Sequence, residues 1–292
     1  MKCRSVERNR PLGGSVPGLH ASQVRTTLVL SRREREAAHR LRTAQDTHVP
    51  CAPIRDLIGG SNVRAAYAVQ SQLTTARLAA GATVVGRKIG LTSLAVQHQL
   101  GVDQPDFGML FDDMAYHDNA TIAPGCLLQP KIEAEVAFVL GEDLTEGALT
   151  FEQVRGAIAY ALAALEIVDS RVANWDISIA DTIADNASSG LFVTGSRQLR
   201  LDEFEPADVE MTMTHNGEIV SVGRGDACLG NPLAAVQWLA ANARNFGEPL
   251  RRGQVILSGA LGPMVPVFPG SVVRADIGPL GTVTARFSGE AS

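Results

Sequence analysis

The stretch QPKIEAEVAF, residues 129–138, decides how this chain folds. Charged residues stand at every second position, Lys131, Glu133 and Glu135, with apolar Ile132, Ala134 and Val136 between and after them, and the run closes on Ala137, Phe138, Val139 and Leu140. Residues two apart share a face on a strand but point about 200° apart on a helix, so the alternation predicts a strand with an ammonium and two carboxylates on one face. Two carboxylates about 7 Å apart along a strand repel unless water surrounds them or a cation sits between them. Water suffices if this is an edge strand with a solvated face. A third carboxylate, Glu166, brings in the cation: it lies in YALAALEIV, residues 160–168, where an unpaired charge is costly or takes up a proton.

Three carboxylates from two neighbouring strands, Glu133, Glu135 and Glu166, make an all-oxygen donor set suited to Mg2+ or Mn2+ with positions left for water and substrate. The six histidines (His20, His39, His48, His98, His117 and His215) have no ligand spacing with one another, which disfavours zinc.

On the N-terminal side, SRREREAAHRLRTAQ predicts a helix with Ser31 as N-cap and Glu34 at capping-box spacing. A second helix is expected over 63–80, ending at Gly81. ATVVGRKIGLT, residues 82–92, is β-branched and interrupted by Gly86 and Gly90, the mark of a strand entering a tight loop. On the C-terminal side, 150–164 reads as a helix capped by Thr150 and Gln153, followed by LEIVDSR as a short strand. Asn231 and Pro232 start a helix that runs through Trp238 to about Asn245 and stops at Gly247, and QVILSGAL and TVTARF are strands. Strands in runs, with helices grouped early and late, predict an α+β fold rather than a doubly wound sheet.

The 292 residues suffice for a large buried core, and 45% apolar and 20% charged residues are ordinary for a globular protein. No apolar run reaches membrane-spanning length, so no membrane helix is expected. Cys3, Cys51, Cys126 and Cys228 are scattered without a C-x-x-C pair, which points to neither a zinc site nor a disulfide framework and fits a reducing, cytoplasmic setting. Residues 1–42 hold ten Lys or Arg against three acids, so the net charge of −5 leaves −12 on the remainder, an acidic body that argues against a nucleic-acid partner. The expected organisation is a disordered basic leader over 1–30, a helical region over 31–81 and a metal-binding, β-rich catalytic domain over 82–292.

VVGRKIGLTS, LGVDQPDFGMLFDDM, LLQPKIEAEVAFVL, ALEIVDSR, DNASSG and LSGALGPMVPV occur in that order. Together they resemble the 2-keto-4-pentenoate hydratases (2-hydroxypenta-2,4-dienoate hydratases) of the fumarylacetoacetate hydrolase-like superfamily, over roughly residues 33–288. The resemblance implies a mixed β-sandwich or rolled β-structure with flanking helices, in a homo-oligomer, with association with a downstream aldolase or a sister decarboxylase as a further expectation. It also implies that Glu133, Glu135 and Glu166 bind Mg2+ or Mn2+. The lysine of the G-x-K-x-G-L-T motif is Lys88, and the aspartate of Q-P-D-F-G is Asp106. The leader is absent from the family.

The implied substrate is a small 2-keto or dienol acid from meta-cleavage of aromatic rings, hydrated to 4-hydroxy-2-oxopentanoate. Lys88 and Asp106 are the candidates for proton transfer, Lys88 with its pKa expected to be lowered by desolvation near a metal. Ser188, Ser189, Ser258 and Gly259 are candidates for lining the substrate pocket, although such small residues also serve turns. Two other readings stay open: 4-oxalocrotonate decarboxylase, whose metal and enolate chemistry is nearly the same, and a non-catalytic structural subunit of a hydratase–decarboxylase complex.

Overall fold

The computed structural model describes residues 30–93, 97 and 104–289, so all but the last residue of the expected leader lies outside the description. Three helices come first: α1 (Arg32–Thr47), α2 (Arg55–Ile58) and α3 (Val63–Ala79). Both halves of the capping box start α1: Ser31 Oγ accepts from the Glu34 amide, and Glu34 Oε2 accepts from the Ser31 amide. Its buried face is Leu41 with three alanines, Ala37, Ala38 and Ala44, whose small side chains let α1 pack closely on α3.

The larger sheet has β1 (Val84–Gly90), β2 (Asp106–Phe111), β3 (Ala115–His117), β5 (Lys131–Leu140), β6 (Ile158–Val168), β7 (Ser189–Thr194) and β10 (Val255–Ala260) in the order β2-β1-β10-β5-β6-β7-β3. A short β11 (Val265–Pro266) also pairs with β5. The second sheet has β4 (Thr121–Ile122), β8 (Glu210–His215), β9 (Glu218–Arg224), β12 (Val272–Ile277) and β13 (Thr282–Phe287) in the order β4-β13-β12-β8-β9. β12 and β13 pack against β6, and α6 (Pro232–Asn245) against β10 and β1, so the central strands are covered by a sheet on one side and a helix elsewhere. Mixed parallel and antiparallel pairing with segregated helices makes the fold α+β.

One expectation fails. The helix expected over 150–164 is only the six-residue α4 (Phe151–Gly156), and the next residues enter the eleven-residue β6. Every residue from Ala161 to Val168 is buried, because β6 lies inside the sheet between β5 and β7. A strand buried on both faces is a continuous apolar run with no period of two, and in an alanine-rich segment such a run imitates a helix. Among the described cysteines, Cys51 and Cys228 are free. No helix among the described residues is long and apolar enough to cross a membrane.

Candidate active site

Register brings the carboxylates together. In the antiparallel pair β5–β6, Glu133 stands directly opposite Glu166, and Glu135 opposite Ala164. Opposed residues in such a pair project to one face with Cβ atoms about 5 Å apart, and the small Ala164 leaves that face open beside Glu135. One oxygen from each of Glu133, Glu135 and Glu166 lies within 4.8 Å of the others. Glu135 and Glu166 are fully buried, and Glu133, part-buried as a residue, joins them in a buried cluster.

A β-bulge in β10 supplies the next contact. Leu257 pairs with Ala137 and Ala260 with Glu135, so three steps on β10 face two on β5. The extra residue re-aims the backbone: Gly259, at φ 113°, donates its N–H to Glu135 Oε2 at 2.7 Å. Glycine is required, since a Cβ there would stand 2.2 Å from Thr92 Oγ1. Glu135 Oε1 and Glu166 Oε2 have no hydrogen-bond partner among the described residues.

Lys88, on β1, is buried and places Nζ 2.9 Å from Glu166 Oε1. Asp106 opens β2 opposite Gly90 and is also buried. Its Oδ2 accepts a hydrogen bond from Thr182 Oγ1 at 3.2 Å, while Oδ1 has no such partner among the described residues. Of the other candidates, Ser258 is fully buried next to Gly259 with a hydroxyl that has no hydrogen-bond partner among the described residues, and Ser188 Oγ lies 3.3 Å from Thr182 Oγ1. The Ser189 carbonyl accepts from Arg171 Nη1 at 2.9 Å, and its buried hydroxyl has no hydrogen-bond partner among the described residues. Lys131 stands over the Trp175 ring, 4.4 Å from its centroid.

The electrostatics follow from crowding three acids in a dry place. Burial and then Glu166 push Glu133 up to about 7, against the pull of Lys88. Burial, with Glu166 and Glu133, raises Glu135 well above the ordinary carboxylate range. Burial also raises Asp106, opposed by Lys88 and by the Thr182 hydrogen bond. Lys88 corrects the sequence expectation: burial works against its charge, but Glu166, Glu133, Asp106 and Glu135 outweigh burial and hold its pKa above, not below, the ordinary lysine value.

Sequence reasoning missed Thr182 and a second buried cluster. Arg171 donates from Nε to Asp185 Oδ1 at 2.5 Å and from Nη2 to the Asp185 carbonyl at 2.7 Å. Burial pushes Asp185 up to about 6 even so. Neither gave a signal in the sequence: Arg171 and Asp185 lie in the mixed segments VDSRVAN and TIADNASS rather than in apolar runs, and a buried threonine is unremarkable in sequence. An open groove of about 480 Å3 at the helices, lined by residues including Ser31, Glu34, Arg55, Asp56 and Asn62, contains none of the site residues.

The model of the fumarylacetoacetate hydrolase C-terminal family matches residues 83–288, the part of the chain that carries every residue of this site. The chain belongs to the fumarylacetoacetate hydrolase family. Within the family it is 55% identical over 254 residues to the TodF product hydratase of Pseudomonas putida, a match covering 87% of this chain and 95% of that protein. It is 52% identical over 252 residues to the 2-keto-4-pentenoate hydratase of Paraburkholderia xenovorans, covering 86% and 94%. Among solved structures, the 4-oxalocrotonate decarboxylase of Pseudomonas putida G7, complexed with magnesium and adipate, superposes with a TM-score of 0.84 at 34% identity, covering 88% of this chain and 98% of that one.

Proposed function

We propose that this chain is a divalent-metal-dependent hydro-lyase that adds water to 2-hydroxypenta-2,4-dienoate (2-keto-4-pentenoate), giving 4-hydroxy-2-oxopentanoate in the catabolism of aromatic rings opened by meta-cleavage. The observation that carries the reading is the convergence of Glu133, Glu135 and Glu166 beside Lys88, in a chain more than half identical to hydratases over most of its length.

The residues fit a hard divalent cation. Three carboxylate oxygens lie within 4.8 Å of one another, and among the described residues two buried carboxylate oxygens have no hydrogen-bond partner and no histidine joins the cluster. Glu133, Glu135 and Glu166 would hold the ion, with Mg2+ or Mn2+ assigned by the same donor chemistry. When bound, the ion supplies Lewis acidity to the carboxylate and 2-oxygen of a keto acid.

The chain's own groups do the rest. The Gly259 amide fixes Glu135 by one oxygen and leaves the other free. Lys88 offsets the negative charge of the acids and, as an ammonium, is a hydrogen-bond donor. Asp106, buried and raised above the ordinary carboxylate range, is the group that moves a proton, through the oxygen Oδ1 that has no hydrogen-bond partner among the described residues. In the overall change C5 of the dienol gains a proton and the 2-hydroxyl loses one, giving an enone; water then adds its oxygen at C4 and a proton at C3. Atoms balance at one water taken up. A homo-oligomer in the cytoplasm, associated with an aldolase or a sister decarboxylase, completes the proposal.

The likeness to the decarboxylase supports a second reading, and one assay separates them. With Mg2+, the purified protein is expected to remove the ultraviolet absorbance of 2-hydroxypenta-2,4-dienoate without releasing CO2. CO2 evolved from 2-oxohex-3-enedioate would assign the decarboxylase instead, and inactivity on both substrates would leave a structural subunit.

A further inference from the structure

We propose that Thr182 is a positioning residue for the hydration, its hydroxyl holding Asp106 so that one carboxyl oxygen is engaged and the other is presented to the site. The inference rests on the reading of Asp106 as a proton-handling group. Thr182 is buried, on the short helix α5 (Ile179–Ala184), and among the described residues its side-chain hydrogen bonds go to Asp106 and Ser188, not to a metal-ligand candidate. Its Oγ1 donates to Asp106 Oδ2 at 3.2 Å and lies 3.3 Å from Ser188 Oγ. A threonine hydroxyl has one proton, so with that proton given to Asp106 the second contact is Ser188 donating to Thr182. The three side chains form a line that ends on one oxygen of Asp106. Both contacts are long for O–H···O bonds, as catalytic contacts often are before substrate closes the site.

The line is built into the backbone. After α5 the chain takes three consecutive left-handed residues, Asn186, Ala187 and Ser188, at φ 57°, 53° and 50°. Non-glycine residues rarely accept this conformation, and it persists only where the surroundings dictate it. Here the dictating element is β2, the strand that begins with Asp106: Asn186 Oδ1 accepts from the Met109 amide and Asn186 Nδ2 donates to the Met109 carbonyl, at 2.8 and 2.9 Å. The Asn186 carbonyl lies so close to Gly108 that a Cβ there would stand 2.2 Å away. Thr182 and Ser188 are thus keyed to the strand that carries Asp106, while Asp106 Oδ1 faces Gly90, whose Cβ position is 2.2 Å from that oxygen and 3.7 Å from Lys88 Cε.

The test compares Thr182→Val, Thr182→Ser and Asp106→Asn in the full chain, measuring kcat and KM with saturating Mg2+, Mg2+ affinity by calorimetry, and melting temperature. Loss of one hydrogen bond to a charged group corresponds to roughly a tenfold loss or more. Thr182→Val is therefore expected to lower kcat about tenfold or more, with KM and Mg2+ affinity changed less than twofold, and Thr182→Ser to restore kcat to within threefold of the parent. Should Thr182→Val fail to fold, Thr182→Ala takes its place against Thr182→Ser. A parental kcat for the valine variant, or equal losses in the valine and serine variants, overturns the proposal while an inactive Asp106→Asn leaves the role of Asp106 standing. A fully active Asp106→Asn overturns that role, and the positioning proposal with it.

Discussion

Gly90→Ala probes the least forgiving contact in the site. Gly90 ends β1 in ordinary strand geometry, so alanine meets no backbone penalty there. Its Cβ, however, would lie 2.2 Å from Asp106 Oδ1, and reaching an ordinary 3.4 Å contact requires a shift of about 1.2 Å. β1 has little freedom to supply that shift, because it pairs with β2 on one side and β10 on the other, and at Gly86 it lies too close to the Val255 carbonyl for any side chain. Asp106 must therefore rotate, giving up its bond from Thr182. Displacing a reacting group by about 1 Å costs on the order of 100-fold in rate, so kcat/KM on the dienol should fall by about that factor. The atoms nearest the added Cβ belong to Asp106 and Lys88 rather than to apolar core side chains, so the melting temperature should move by only a few degrees. Kinetics by loss of dienol absorbance, with scanning fluorimetry beside it, measure both. A variant that keeps more than a third of its kcat/KM refutes the reasoning, because Asp106 would then be free to move without consequence.

Three further outcomes are expected. Because Glu133 is raised to about 7 from an ordinary 4.5, the folded chain binds a proton that the unfolded chain lacks between those values, so metal-free stability should rise as pH falls through that window. Mg2+ affinity should run the opposite way, weakening about tenfold per pH unit below 7 as the proton competes; melting curves and calorimetry at pH 5.5–8 check both signs. Saturating Mg2+ at about 100 times its Kd should add roughly 2.7 kcal/mol of stability, and a chelator should remove it, which a thermal shift of several degrees would register. Arg171→Met leaves Asp185 buried without its cation, at a cost of about 3–5 kcal/mol visible in the urea midpoint, and an unchanged midpoint would count against the buried pair.

The parts of the site legible in the sequence were those carried by local pattern. The alternation in KIEAE put Lys131, Glu133 and Glu135 on one face, and an acid amid YALAALEIV marked Glu166 as needing a partner. What the sequence withheld was long-range. Lys88 reaches the cluster only because β10 lies between β1 and β5, joining segments some 170 residues apart, and no local signal gives that order. The sign of the Lys88 shift was misjudged for the same reason, since four acids from three strands outweigh its burial. The strand β6 looked helical because two-sided burial erases the period of two. Thr182 and the Arg171–Asp185 pair became visible only when their partners were in place.

Crystals grown with Mn2+ test the central claim most directly, through anomalous diffraction at the manganese edge. The account predicts one strong peak at a coordination distance of roughly 2 Å from carboxylate oxygens of Glu133, Glu135 and Glu166 together, lost in Glu166→Gln. A peak elsewhere, or none at these three residues at saturating Mn2+, contradicts it.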